Sequence, residues 1–180
     1  RRRSPMSPAL AYIAAAAAFG MLIHLGLAAS PLRPRLVGAV GEGAYAGIFS
    51  LLSAIGLLAL VWTYRGASQP DIDMPLRPVA LWMLWVPAVV MPFALILLVG
   101  SLSTKNPTLG PAGAMPEGAD PARGIMRVTR HPMLWAFTLW ALAHLAANGD
   151  AASLLLFGSV LIVAVNGMHS IDRKRRAKDA

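Results

Sequence analysis

The chain has 180 residues, of which 57% are hydrophobic and 13% are charged, and its mean hydropathy is +0.60. A composition this apolar excludes an ordinary soluble domain and is typical of a polytopic membrane protein. The sequence contains no cysteine, which excludes disulfides, thiolate metal sites and cysteine nucleophiles. Its net charge of +8 lies mainly at the ends of apolar runs, where lipid-anchoring residues occur, so we predict no nucleic-acid binding.

Five apolar segments, bounded by turn and charge signals, follow one another along the chain. Most approach the length of about 17 to 25 residues that crosses a bilayer. They cover approximately residues 9–29, 44–64, 79–100, 133–147 and 151–168. The predicted fold is an all-α, polytopic membrane helical bundle of about five transmembrane helices, forming a single domain over residues 1–180. The turn signal Asn148-Gly149-Asp150 predicts that the last two helices form a tight antiparallel hairpin.

Two features of the first half affect the shape of the bundle. Residues 31–43 are predicted to form a short, partly amphipathic connection between the first and second segments. The third segment contains Pro87 and Pro92, each of which removes a backbone donor, so we predict a bend in that helix.

The polar parts of the second half are a Gly/Pro-rich loop at 101–130 and a basic tail at 172–180. The run Asp172-Arg173-Lys174-Arg175-Arg176 in this tail is predicted to contact anionic lipid headgroups. Lysine and arginine are more frequent on the face that holds the C-terminus, which predicts that the C-terminus is cytoplasmic. The lipid bilayer is therefore the first predicted partner.

Three of the four histidines lie in or at the apolar segments: His24, His144 and His169. Ionisable groups at membrane depth are costly and often mark functional sites. Because neutral imidazole binds iron, copper or zinc, two helices that each supply one histidine can hold a haem between them. We predict His24 and His144 as this metal-binding pair, with His169 as the substitute, although the segment boundaries place the pair at depths that differ by about 9 Å. The alternative is that each imidazole only hydrogen-bonds a neighbouring group.

Arg127, Arg130 and His131 directly precede the fourth segment. The free amides at the start of a helix add positive potential there, and Pro132 suits the first helical turn. We predict that these three residues bind a carboxylate, phosphate or propionate group of a cofactor, with ordinary interfacial anchoring as the alternative. The sequence shows no nucleophile with an adjacent base, no paired carboxylates and no His-Glu-x-x-His motif, so no catalytic residue is predicted.

Several separated motifs, in order and spacing, make the chain resemble the NnrU family of bacterial membrane proteins over nearly its whole length. The motifs are His24-Leu25, Ser30-Pro31-Leu32-Arg33, Gly47-Ile48-Phe49-Ser50-Leu51, Arg127-Val128-Thr129-Arg130-His131-Pro132 and Trp140-Ala141-Leu142-Ala143-His144-Leu145-Ala146-Ala147-Asn148-Gly149-Asp150. The resemblance implies a multi-pass protein of the bacterial inner membrane, associated with nitrite and nitric oxide respiration.

NnrU proteins are in turn similar to the plant 15-cis-zeta-carotene isomerase, a membrane enzyme that uses haem b with two axial histidines. The resemblance therefore implies haem b as the cofactor and His24 and His144 as its ligands. It leaves two functions open. One is a haem-dependent, isomerase-like enzyme acting on a lipophilic isoprenoid, and the other is a non-enzymatic assembly or electron-transfer partner of a respiratory membrane complex.

The element Arg130-His131-Pro132 also resembles a motif of the isoprenylcysteine carboxyl methyltransferase group, which uses S-adenosylmethionine. The chain departs from that group near its end, where Asp172-Arg173-Lys174 stands in place of paired glutamates. An S-adenosylmethionine-dependent membrane methyltransferase is therefore a further alternative.

Overall fold

A computed structural model describes residues 7–69, 74–104 and 123–179. Six α-helices are found in these ranges: α1 (Pro8–Met21), α2 (Leu32–Val40), α3 (Glu42–Ala67), α4 (Val86–Ser103), α5 (Pro132–Ala147) and α6 (Ala151–Asp179). Helix α1 continues without a break into a π-helix at Leu22–Ala28. Short 3₁₀ turns at Leu81–Trp85 and Gly124–Arg127 precede α4 and α5.

Four helical stretches of the described chain are long and apolar enough to cross a membrane: Pro8–Ala28, Glu42–Ala67, Leu81–Ser103 and Ala151–Ala177. Helix α5 is also apolar, but its 16 residues extend only about 24 Å. The prediction of an all-α membrane bundle is confirmed, and the protein is a multi-pass membrane protein.

Helices α5 and α6 form the predicted hairpin, joined by residues 148–150. Helix α1 packs against both α3 and α6, while α4 packs along α5. Many core positions of α1, α5 and α6 are small residues, including Ala17, Ala141 and Ala152, which allow close approach of helix backbones. We call the end with the α5–α6 turn the hairpin end, and the end where α5 begins the His131 end.

A short extended segment, residues 74–77, holds the α5–α6 turn. The amides of Leu76 and Arg77 donate to Gly149 O at 2.7 and 3.0 Å, and the amide of Ala151 donates to Met74 O at 2.9 Å. A Cβ at Gly149 would overlap the backbone oxygen of Arg77, so this turn requires glycine. The Arg77 guanidinium donates to carbonyls at the end of α5, those of Leu145, Ala146 and Asn148, where a cation also complements the helix dipole.

The boundaries differ from the predicted ones in several places. Most of the predicted connection at 31–43 is helix α2, and the predicted basic tail is the last turns of α6, which continues to Asp179. Pro87 lies in the first turn of α4, where its missing amide costs no hydrogen bond, whereas Pro92 lies inside the helix. Of the predicted loop at 101–130, residues 101–103 are helical, 124–127 form a 3₁₀ turn, and 105–122 lie outside the described residues.

Candidate functional site

His24 lies in the π-helix that ends the first span. The amide of Ala29 donates to His24 O at 3.1 Å, the five-residue spacing of a π-helix. The Nδ1 atom of His24 lies 2.9 Å from Gly20 O, and its ring meets Phe49 of α3 edge-on at 5.3 Å. π-Helical turns disturb regular hydrogen bonding and are frequent at functional sites. The π-helix around His24 therefore supports a functional role for this histidine.

His144 lies near the end of α5, inside an aromatic cluster. Its Nδ1 lies 2.8 Å from Trp140 O, and its ring stacks on Phe157 of α6 at 4.7 Å. Phe157 also contacts Trp140 at 5.0 Å and Tyr64 at 6.1 Å, and the Tyr64 hydroxyl lies 3.1 Å from Ser153 Oγ. The His144 ring is therefore held on two sides by fixed aromatic neighbours.

The two imidazoles form the same kind of hydrogen bond, each with a backbone carbonyl of its own helix. A carbonyl oxygen can only accept, so Nδ1 of each ring must carry the proton and donate it to the carbonyl four residues earlier. Neither Nε2 atom has a hydrogen-bond partner within the described ranges. A neutral imidazole whose Nδ1–H is bound to a backbone carbonyl presents its Nε2 lone pair to a metal, and the carbonyl fixes the orientation of the ring.

The positions of the two rings can be compared along α6. His24 lies one turn before Ala28, whose carbonyl accepts from Lys174, whereas His144 stacks on Phe157. Phe157 and Lys174 are separated by about 25 Å of helix. Helical side chains lean towards the start of their own helix, and α1 and α5 run in opposite directions, so the two rings lean towards each other. The two rings therefore differ by roughly 20 Å along the bundle axis, farther apart than two ligands of one iron lie, and within the described chain no hydrogen bond or ring contact joins them.

The surroundings of both histidines limit the kind of metal that would fit. The part of the chain that the structure describes contains no group of three or more His, Cys, Asp or Glu side chains that could hold a bare ion. Two imidazoles alone leave most positions of a bare metal ion unfilled. A macrocycle such as a porphyrin supplies four nitrogen ligands of its own and needs only axial donors from the protein.

The other three predicted cofactor residues, Arg127, Arg130 and His131, lie together in a different place. They line a groove of about 650 Å³ at the His131 end, and neither His24 nor His144 lies among its lining residues. The full lining is Met126, Arg127, Val128, Thr129, Arg130, His131, Trp135, Thr138, Val165, Met168, His169 and Asp172. Arg127, Arg130 and His131 therefore form a site separate from both His24 and His144.

His131 is fixed by a carboxylate from the end of α6. Its Nε2 lies 2.8 Å from Asp172 Oδ1, and only 4% of the side chain is exposed. Arg130 approaches the same oxygen at 3.8 Å. The Nδ1 atom of His131 is buried and has no hydrogen-bond partner among the described residues. Buried polar atoms are normally hydrogen-bonded, so this nitrogen has an unused hydrogen-bonding position.

The 3₁₀ turn at Gly124–Arg127 positions Arg127 at the edge of this groove. The turn packs closely on the last turns of α4. A Cβ on Gly100 would lie only 2.9 Å from the Ile125 side chain, so glycine is what permits this approach. The amides of Val128 and Thr129 then donate to Ile125 O at 3.0 and 3.3 Å. The groove is lined by residues 126–131, α5 and α6, and α4 supports the 3₁₀ turn from behind.

The basic run at the end of α6 is predicted to contact lipid headgroups. In the structure, several of its side chains also contact other parts of the protein. Asp172 binds His131, Lys174 donates to Ala28 O, and Arg173 donates to Ala29 O at 3.3 Å. Lys174 and Arg173 satisfy carbonyls that the end of the first helix leaves open, and their charge complements its dipole. These contacts lock the π-helical segment against α6.

Sequence reasoning missed Asp172 as a site residue and missed Phe157 as the support of His144. For Asp172 a signal was present, because this carboxylate begins a basic run at the end of a long apolar helix, one turn after His169. His169 itself is exposed and lines the groove. Phe157 has no signal of its own, since nothing in an apolar helix marks which ring faces a histidine.

These features define a multi-pass helical membrane protein with two histidines on separate spans, His24 in the π-helix and His144 in α5, and a basic groove at one end. A family model described as NnrU protein matches residues 12–180, and the chain belongs to the NnrU family. Comparisons with curated proteins and with solved structures find no match.

Proposed function

We propose that the protein binds haem b, with the imidazoles of His24 and His144 as the side chains that would ligate iron. One observation carries this proposal: both histidines donate Nδ1–H to the carbonyl four residues earlier, at 2.9 and 2.8 Å, which leaves both Nε2 lone pairs available. The π-helix around His24 and the aromatic cluster around His144 support it, because each holds one ring in a defined orientation.

The protein's own part in such a site is to orient the two rings and to keep water from them. Phe49 packs on His24, and Phe157 packs on His144. The backbone carbonyls of Gly20 and Trp140 hold the tautomers and the orientation of the two rings. A bound haem supplies one-electron chemistry at iron, and its potential depends on these ligands and on burial.

Two roles follow from the proposed haem site and the family. The first is isomerase-like redox chemistry on a lipophilic isoprenoid, a substrate that reaches the site from the bilayer. The second is non-enzymatic assembly or electron delivery for a respiratory membrane complex of nitrite or nitric oxide reduction in the bacterial inner membrane. Turnover of a carotenoid substrate by purified, reduced protein supports the first role, whereas stable co-purification with a respiratory enzyme and no turnover support the second.

The haem proposal is tested by purifying the wild-type protein and three variants in detergent and measuring haem per polypeptide. His24→Ala and His144→Ala should each lose the haem absorption band or shift it to that of a five-coordinate iron. His169→Ala is the comparison variant, because His169 is exposed on α6 and is the predicted substitute ligand. Unchanged absorption in both His24→Ala and His144→Ala contradicts the proposal, and loss only in His169→Ala transfers the ligand role to that residue.

A further inference from the structure

The groove at the His131 end has a charged and an apolar part, arranged along the bundle axis. Its charged part consists of Arg127, Arg130, His131 and Asp172, at the start of α5 and the end of α6. Its apolar part lies further into the bundle, where Trp135 of α5 faces Val165 and Met168 of α6. From Asp172 back to Val165, α6 rises about 10 Å, so the wall changes from polar to apolar over that distance.

The charge at the polar part favours an anion. Among the described residues that line the groove, Asp172 carries the one carboxylate while Arg127 and Arg130 are cationic, and the N-terminus of α5 adds positive potential. Asp172 is bound to His131 at 2.8 Å and lies 3.8 Å from Arg130, whose side chain remains 64% exposed. The guanidinium of Arg130 therefore keeps most of its donors available for a ligand.

A phosphate fits these donors better than a carboxylate does. Guanidinium forks bind phosphate oxygens in pairs, and two arginines offer more donors than two carboxylate oxygens can accept. The volume of about 650 Å³ lies within the range of about 300 to 1,000 Å³ that is usual for small-molecule sites.

We propose that this groove is a binding site for an amphiphile with a phosphate head, whose head lies at Arg127 and Arg130 and whose chain lies along Trp135, Val165 and Met168. The site is independent of the haem proposal, because none of its lining residues is His24 or His144. The amphiphile is either a bilayer phospholipid or a lipid phosphate that the protein takes up as a ligand. Both present the same chemistry to the two guanidinium groups.

The test is native mass spectrometry of the full chain in maltoside micelles with dodecyl phosphate as the probe. One bound molecule per chain is expected. Arg127→Gln and Arg130→Gln should each weaken binding about tenfold, the effect of losing one charge-assisted hydrogen bond. The control variant Arg35→Gln removes a positive charge from an exposed position of α2 and should leave binding unchanged. Met168→Trp, which fills the apolar part, should weaken dodecyl phosphate but not inorganic phosphate.

Competing ligands show whether the bound amphiphile is a phospholipid or a different lipid phosphate, and whether the groove binds another class of ligand instead. Displacement of the probe by phosphatidylglycerol identifies a phospholipid headgroup site, whereas resistance to displacement identifies a site for a different lipid phosphate; both support the proposal. Equal binding of dodecyl trimethylammonium, or unchanged binding in Arg127→Gln and Arg130→Gln, overturns it. Specific binding of S-adenosylmethionine in place of dodecyl phosphate also overturns it and favours a methyltransferase. His24→Ala should retain the probe, so this result is separate from that of the haem test.

Discussion

Truncation of Phe157 to alanine should destabilise the bundle strongly and release His144 from its fixed orientation. Phe157 is only 4% exposed and contacts the rings of Tyr64, Trp140 and His144 at centroid distances of 6.1, 5.0 and 4.7 Å. Because three rings converge on this side chain, neighbouring groups cannot easily move into the space it leaves.

The size of the effect follows from the volume removed. Replacing a buried phenylalanine by alanine vacates roughly 100 Å³, which at about 24 cal/mol per Å³ of residual cavity costs about 2.4 kcal/mol. Loss of three aromatic contacts raises the expected decrease in the free energy of unfolding to about 3–5 kcal/mol. The hydrophobic term contributes less here than in a soluble protein, since lipid is itself apolar, so most of the cost is lost packing.

The assay is unfolding of the purified protein in mixed micelles of maltoside and sodium dodecyl sulfate, followed by near-ultraviolet circular dichroism. Phe93→Ala is the matched control, because Phe93 is 61% exposed on α4 and its removal leaves no cavity in the core. We expect a change below about 1 kcal/mol for the control. Equal destabilisation by both substitutions would refute the assignment of Phe157 as the central packing residue beside His144.

Three further changes test other parts of the structure. Arg77→Met should lower the free energy of unfolding by about 1–2 kcal/mol, because carbonyls at the end of α5 lose their donor, whereas Arg65→Met should change it little. Gly149→Ala should destabilise at least as much as Arg77→Met in the same assay, since its Cβ would overlap the segment at 74–77. Deletion of Leu22, the first residue of the π-helix, should rotate His24 by about 100° relative to α3 and remove the haem absorption while the helical circular dichroism is retained.

Much of the helical framework could be predicted from the sequence because its signals are local. Runs of apolar residues marked the spans to within a few residues, and Asn148-Gly149-Asp150 marked the hairpin. The largest error in length was at the end of α6, which continues to Asp179 through a basic run. That run was interpreted as a tail because its charges are unfavourable in lipid. In the structure the carbonyls of Ala28 and Ala29 accept from two of these side chains and stabilise the extra turns.

The candidate sites could be predicted only in part. The types of residue that carry chemistry, His24, His144 and His131, were visible in the sequence because imidazoles are rare in apolar segments. Their partners were not, because each partner lies on another element: Phe157 beside His144, and Asp172 beside His131 at a separation of 41 residues. Contacts between residues so far apart in the sequence depend on how the helices pack, and local sequence patterns do not predict that packing.

The π-helix at Leu22–Ala28 was also beyond sequence reasoning. Its residues are ordinary α-helix formers apart from Gly26, and the change of spacing appears only in the hydrogen bond from Ala29 to His24. The separation of the predicted cofactor residues has the same origin. Depth along each helix can be estimated from a sequence, but the face on which a side chain lies relative to another helix cannot.

The most direct test of the haem proposal is the absorption spectrum of the detergent-purified wild-type protein, recorded oxidised and then reduced with dithionite. With haem b ligated by His24 or His144, the reduced spectrum should show a shifted Soret band together with α and β bands, the pattern of an imidazole-ligated haem. A featureless visible spectrum, with no change after haem is supplied to the purified protein, would contradict the account.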